Sequence, residues 1–143
     1  IVGKTLNSFI LQKMKYKTDL IKVRYGETDQ MGIVHHSNYL KFFELARIEW
    51  LEKLKMPYQK IEENGMILPV VKCEVKFLKS LFFGDSFNIE VICKKKPTAT
   101  IVFLYKVFNQ YDELTTEGVT TLAFLNSKTM KPQRCPKIVS DLF

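Results

Sequence analysis

The sequence predicts an α+β domain in which a curved antiparallel sheet surrounds one long helix. Residues 39–54 set large apolar side chains on nearly every side of a helix: Tyr39, Leu40, Phe42, Phe43, Ala46, Ile48, Trp50, Leu51 and Leu54. They cover far more than the roughly 100° stripe of a helix docked on a surface, so this one is expected to be wrapped. After Gly65, segments rich in Val, Ile, Phe and Thr follow at 67–78, 86–93, 100–108 and 114–125, and residues 20–25 supply a fifth before the helix. Short connections between them imply antiparallel neighbours.

Each element has its own local signals. Residues 20–25 alternate loosely between apolar and basic side chains, as in a strand with one wet face, and Gly26 ends the run. Breakers fill residues 27–32. Ser37 or Asn38 can cap the long helix through a side-chain oxygen, and Pro57 blocks its continuation. Pro57 can also open a second short helix that Gly65 stops. The strands are separated by Phe83-Gly84-Asp85, by Lys94 to Pro97 and by Asn109 to Glu113. Glu44 and Arg47, on the helix at i,i+3, are expected to pair with each other.

The chain has 143 residues, enough for one core and one domain. With 46% hydrophobic residues against 26% charged, global disorder is excluded. The 22 basic against 15 acidic residues leave +7, a bias toward anionic partners that does not say which anion. Cys73, Cys93 and Cys135 show no C-x-x-C spacing, so neither a disulfide framework nor a zinc knuckle is indicated, and a reducing cytoplasmic setting is expected. No apolar run approaches the roughly 18 residues of a membrane span. Met14 lies just before the first strand, so residues 1–17 are expected to be an N-terminal extension and 18–143 the domain.

The chemistry concentrates in residues 29–39. Asp29 sits in a turn containing Gly32, and the chain then runs straight into the start of the buried helix. Backbone N–H groups at a helix start lack intrahelical partners and lie at the positive end of its dipole. An acyl carbonyl turning tetrahedral needs such a donor on its oxygen, worth roughly 3 kcal/mol, and a nucleophile or base on its other side. An Asp before a Gly turn is more often a plain Asx turn, so the turn alone would not carry this reading.

The motif D-x-x-G-x-V-x-H-x-x-Y, filled by Asp29, Gly32, Val34, His36 and Tyr39 and followed by Leu-Lys-Phe-Phe-Glu-Leu-Ala-Arg, closely resembles hotdog-fold acyl-CoA thioesterases of the 4-hydroxybenzoyl-CoA thioesterase and YbgC-like type. The resemblance spans about residues 21–136. It implies a five-stranded antiparallel sheet around the helix, homodimers with active sites at the subunit interface, and often a homotetramer. It places the catalytic carboxylate on Asp29 and the carbonyl-polarising backbone N–H on His36, with Gly32, Val34 and Tyr39 around the substrate. Asp29 could attack the thioester directly or activate a water. An ordinary Asp is a weak base at neutrality, so desolvation would favour the second route and an unshifted carboxylate the first. His35 reads as a capping or packing residue, and two adjacent His make a poor metal site.

A hydrolase of this type binds the phosphates of coenzyme A, which is part of the substrate, and needs no separate cofactor or metal. Lys94, Lys95 and Lys96, with Thr98 behind them, are the candidate phosphate-binding cluster, and Lys79 is a weaker candidate. Three lysines in a hairpin also read as a solvated turn. The leading reading is acyl-CoA hydrolysis, the acyl group short or aromatic by resemblance. A non-catalytic acyl-CoA-binding module of the same fold is the alternative. Nucleic-acid binding has only the net charge behind it, without a matching motif.

Overall fold

The computed structural model describes residues 14–143 of the chain. Strands β1 (Lys15–Lys17) and β2 (Ile21–Lys22) share one edge of the main sheet, both antiparallel to β5 (Ser86–Ile92). A short 3₁₀ turn (Tyr25–Glu27) leads to helix α1 (Asn38–Lys53), and α2 (Tyr58–Glu63) follows. Strands β4 (Val70–Phe77), β6 (Thr100–Asn109) and β7 (Leu114–Ala123) complete the main sheet. Strand β3 (Met66–Ile67) pairs with β8 (Leu125–Asn126), and α3 (Lys137–Ser140) lies near the C-terminus.

Across the sheet the order is β1-β5-β6-β7-β4, with β2 beside β1 on β5. Its five positions match the expected sheet, the first being divided between two short pieces. Lys15–Lys17 lie within the stretch expected to precede the domain. They pair with Glu90, Val91 and Ile92, so the sheet begins earlier than the anticipated boundary at residue 18. Residues 1–13 of that expected extension lie outside the described residues.

Strand β4 does not pair with β5, its neighbour in sequence; it lies on the far edge against β7. Residues 78–85 cross the end of the sheet, a span of about 14 Å at ordinary strand spacing. This crossover is held by the loop before α1 instead of forming a hairpin: Ile33 bridges Phe82, and the Val34 N–H donates to the Leu81 carbonyl at 2.8 Å. Short length therefore misled the topology at this one connection.

Helix α1 packs Tyr39, Phe42, Phe43, Ala46, Trp50 and Leu51 into the concave side of the sheet. Phe43 stacks on Tyr105 at 4.3 Å, and Trp50 meets Phe103 and Phe143 at 6.1 and 5.2 Å. Within one chain the helix is not wrapped all round: Leu40 and Leu45 are 41% and 49% exposed on its outer side. The sheet curves over one side only. Arg47 is buried with its guanidinium 3.4 Å from Glu44, the expected pair. Among the described residues no helix is long and apolar enough to cross a membrane.

Burial also separates the thiols. Cys93 and Cys135 are pushed up to about 11 by desolvation, whereas Cys73 stands exposed on the open edge of β4. A thiol reacts through its thiolate, so brief iodoacetamide treatment at pH 8 of the folded single chain, at a dilution where the β4 edge is uncovered, is expected to alkylate Cys73 first. Peptide mass spectrometry checks the order.

Candidate functional site

Residues 28–34 form a small antiparallel loop, closed by a bridge between Thr28 and Val34. The Asp29 N–H donates to the Ile33 carbonyl at 2.8 Å, and the Gly32 N–H returns to the Asp29 carbonyl at 2.9 Å. Gly32 has φ +77°, a left-handed conformation that an L side chain rarely adopts, which is why this turn takes glycine. The Asp29 Oδ1 accepts the Met31 N–H at 2.8 Å, so the Asx turn is real. It occupies one carboxylate oxygen. The other has no hydrogen-bond partner among the described residues.

The start of α1 is arranged unusually. Ser37 occupies the N-cap position but makes no side-chain cap, its hydroxyl lying 2.8 Å from His35 Nδ1. Asn38 is the first helical residue, and its side-chain amide donates to the Glu27 carbonyl at 2.9 Å. The two residues expected to cap the helix are thus engaged elsewhere. The N–H groups of Ser37 and Asn38 turn back to His35, and that of Tyr39 to the His36 carbonyl at 3.4 Å. The His36 N–H is left without an acceptor among the described residues, at the electropositive end of a 16-residue helix.

Asp29, Val34, His36 and Tyr39 line one cavity of about 260 Å³, together with Phe77, Leu78 and Lys79 at the end of β4 and the crossover. Tyr39 is 2% exposed, between the Phe42 and Phe77 rings. Burial raises its phenol above the ordinary range, while hydrogen bonds from Thr116 and Leu81 pull the other way. It is therefore a neutral group that packs against these rings and lines the cavity. A groove of about 520 Å³ between α1 and residues 21–27 is larger, but it brings neither Asp29 nor the free N–H to its walls. Among the described residues there is no cluster of three or more His, Cys, Asp or Glu able to hold a metal ion.

Gly32 shapes the turn and is not part of the cavity wall. Lys94, Lys95, Lys96 and Thr98 are exposed in the β5–β6 connection, beside the end of β5 where Ile92 meets Lys15. Asp29 lies by the other end, where Phe87 meets Ile21 and Asp85 accepts the Val23 N–H. Within one chain these basic residues are not brought to the carboxylate: the ten residues of β6 span about 33 Å between the two ends. Lys79, the weaker sequence candidate, does line the cavity and pairs with Glu113. Phe77 and Leu78 carried no sequence signal as site residues, because the chain reaches the site only through the crossover. Asn38 and Glu27 were legible only as cap and breaker.

A residue with a spare carboxylate oxygen and a residue with an unpaired helix-start N–H, lining one cavity, make a setting for acyl transfer. The chain belongs to the thioesterase-like superfamily, whose sequence pattern it matches over residues 23–143, and it has the hotdog fold of these thioester hydrolases. It is 30% identical to acyl-CoA thioesterase YbgC of Haemophilus influenzae, over 86% of this chain and 90% of that one. It superimposes on a DHNA-CoA thioesterase from Staphylococcus aureus with a TM-score of 0.80 at 36% identity, covering 84% of this chain and 80% of that one. A mutant 4-hydroxybenzoyl-CoA thioesterase, solved in complex with 4-hydroxybenzoyl-CoA, has the same fold, with a TM-score of 0.80 at 19% identity over 90% of this chain and 98% of that one.

Proposed function

We propose that this protein hydrolyses an acyl-CoA thioester to a free acid and coenzyme A, with Asp29 as the reacting carboxylate and the His36 N–H as the oxyanion donor. The observation that carries this reading is that Asp29, with its spare oxygen, and His36, whose backbone N–H is unpaired among the described residues, line the same cavity. As the carbonyl becomes tetrahedral, its oxygen gains charge beside a donor already oriented by the helix start. Asp29 acts on the other face. By one route it takes a proton from the attacking water; by the other it attacks the carbonyl and water then cleaves the mixed anhydride. Both routes expel the thiolate, which leaves as the protonated thiol. No resident cofactor enters either one.

The acyl group we assign is short or aromatic. A cavity of about 260 Å³ walled by Tyr39 and Phe77 suits a compact or planar group, and the DHNA-CoA relative supports the same class. The phosphates of coenzyme A require a second copy of the chain. Strand β4 is an open edge, with Val70, Val71, Phe77 and Leu78 all exposed. Antiparallel pairing of two such edges would set the Val70 end of one beside the Phe77 end of the other. The partner's Lys94 to Lys96 hairpin would then lie on the side of this chain's cavity, within reach of an extended pantetheine arm. The exposed Leu40 and Leu45 on α1 supply a further apolar face for pairing dimers into a homotetramer.

Thiol release from a panel of short, aromatic and long acyl-CoAs tests the reading. Steady turnover at catalytic protein concentration is expected, fastest for short or aromatic groups. The competing reading, an acyl-CoA-binding module, predicts stoichiometric binding without sustained release of thiol.

A further inference from the structure

The Glu27 carbonyl accepts two hydrogen bonds from the segment leading into α1: the His35 N–H at 2.8 Å and the Asn38 side-chain amide at 2.9 Å. Glu27 itself is buried and pinned through Arg24, which pairs with its Oε1, and its N–H donates to the Arg24 carbonyl at 3.0 Å. This carbonyl lies two residues before Asp29, and its two donors flank His36 in sequence. The contact spans eleven positions and is the one side-chain hydrogen bond recorded between the 3₁₀ turn before Asp29 and α1 among the described residues. Asn38 is also a favoured capping residue type that does not cap its own helix.

We infer that Asn38 is a positioning residue for hydrolysis: by holding the Glu27 carbonyl it fixes the separation between the Asp29 carboxylate and the free His36 N–H. This rests on the function proposed above for those two groups. The His35 bond alone ties backbone to backbone along the loop. The Asn38 bond attaches the same carbonyl to the helix body, so that the acid's turn and the oxyanion donor move as one unit. A shift on the order of 1 Å between reacting groups can cost about a hundredfold in rate. Asn38 does not line the cavity containing Asp29 and His36, so its loss should leave substrate affinity in place.

Two variants test this. Asn38→Leu keeps the branched outline, though with a larger volume, and removes the donor; Asn38→Asp keeps both shape and volume and, when ionised, offers only acceptors to a carbonyl. Thiol release is followed with wild type, Asp29→Asn and both Asn38 variants, each corrected for its folded fraction by circular dichroism. For both Asn38 variants kcat is expected to fall about 10- to 100-fold with KM within about twofold of wild type. Asn38→Ser, which restores a shorter donor, should recover part of that loss. Wild-type kcat in the folded fraction of either donorless variant, or a loss confined to KM, would overturn the inference. Equal turnover by wild type and Asp29→Asn would instead overturn the function on which it rests, so the two failures are distinguishable.

Discussion

Asp29→Asn is expected to lower kcat for thioester hydrolysis by about 10²- to 10⁴-fold, the usual range for removing a positioned acid or base, while leaving the melting temperature near that of wild type. The substitution is chosen because the structure shows two roles for this side chain. Its Oδ1 accepts the Met31 N–H at 2.8 Å and so helps to hold the turn. An asparagine keeps that acceptor and nearly the same shape, and replaces the charged spare oxygen with a neutral NH2 that can neither attack nor take a proton. If Asp29 merely built the turn, Asn would replace it in both stability and turnover. If it reacts with substrate or water, stability survives and turnover does not. The side-by-side comparison is thiol release per folded molecule, with thermal melting as the control.

The second large effect concerns the core that holds the helix in place. Phe43 is fully buried, stacks on Tyr105 at 4.3 Å, and presses so closely on Gly118 of β7 that a Cβ there would lie 2.3 Å from its ring. Phe43→Ala is expected to cost about 3–5 kcal/mol, from lost transfer energy plus the cavity left behind. That corresponds to a fall of about 10–20 °C in melting temperature for a chain of this length. Gly118→Ala destabilises from the opposite direction, by forcing the ring to move; overpacking of this kind costs about 1–3 kcal/mol. Because both changes act on one contact, they should not add. In the double variant the new methyl occupies space vacated by the ring, so it should be more stable than the summed single losses imply. Urea denaturation of the four proteins measures this coupling.

Much of the fold was legible because its signals are local. The apolar density of residues 39–54, Pro57 at the head of α2 and Gly65 after it placed the helices to within a residue or two. The Val, Ile, Phe and Thr content of 86–93, 100–108 and 114–125, with the turn clusters between them, placed β5, β6 and β7. Pairing of β4 with β7 instead of β5 was not legible, since connection length says nothing about whether a loop turns back or crosses the sheet end. The approach of Lys15–Lys17 to β5 was missed because a three-residue edge strand carries almost no periodicity.

The candidate site divides in the same way. Asp29, Val34, His36 and Tyr39 are close in sequence, and the loop brings them to one cavity. Lys94, Lys95, Lys96 and Thr98 were grouped with them on charge and resemblance, yet strand register carries them to the opposite end of the sheet. Lys79 was named on its charge, whereas Phe77 and Leu78 come to the cavity where β4 ends and the crossover begins, a tertiary placement that no local pattern encodes. The diversion of Ser37 and Asn38 from capping was likewise hidden, because the sequence shows that two good caps are present and not what each side chain contacts.

The most direct test follows the His36 amide by NMR as a substrate analogue enters the site. In the analogue a methylene replaces the thioester sulfur, so the carbonyl is kept and cannot be hydrolysed. Added to uniformly ¹⁵N-labelled protein, it is expected to shift the His36 N–H strongly downfield as the carbonyl oxygen accepts its bond, with smaller changes at residues 29–34 and at Phe77. Saturable binding that leaves the His36 amide and the Asp29 turn unmoved, with the changes gathered along another groove, would contradict the assignment of this cavity.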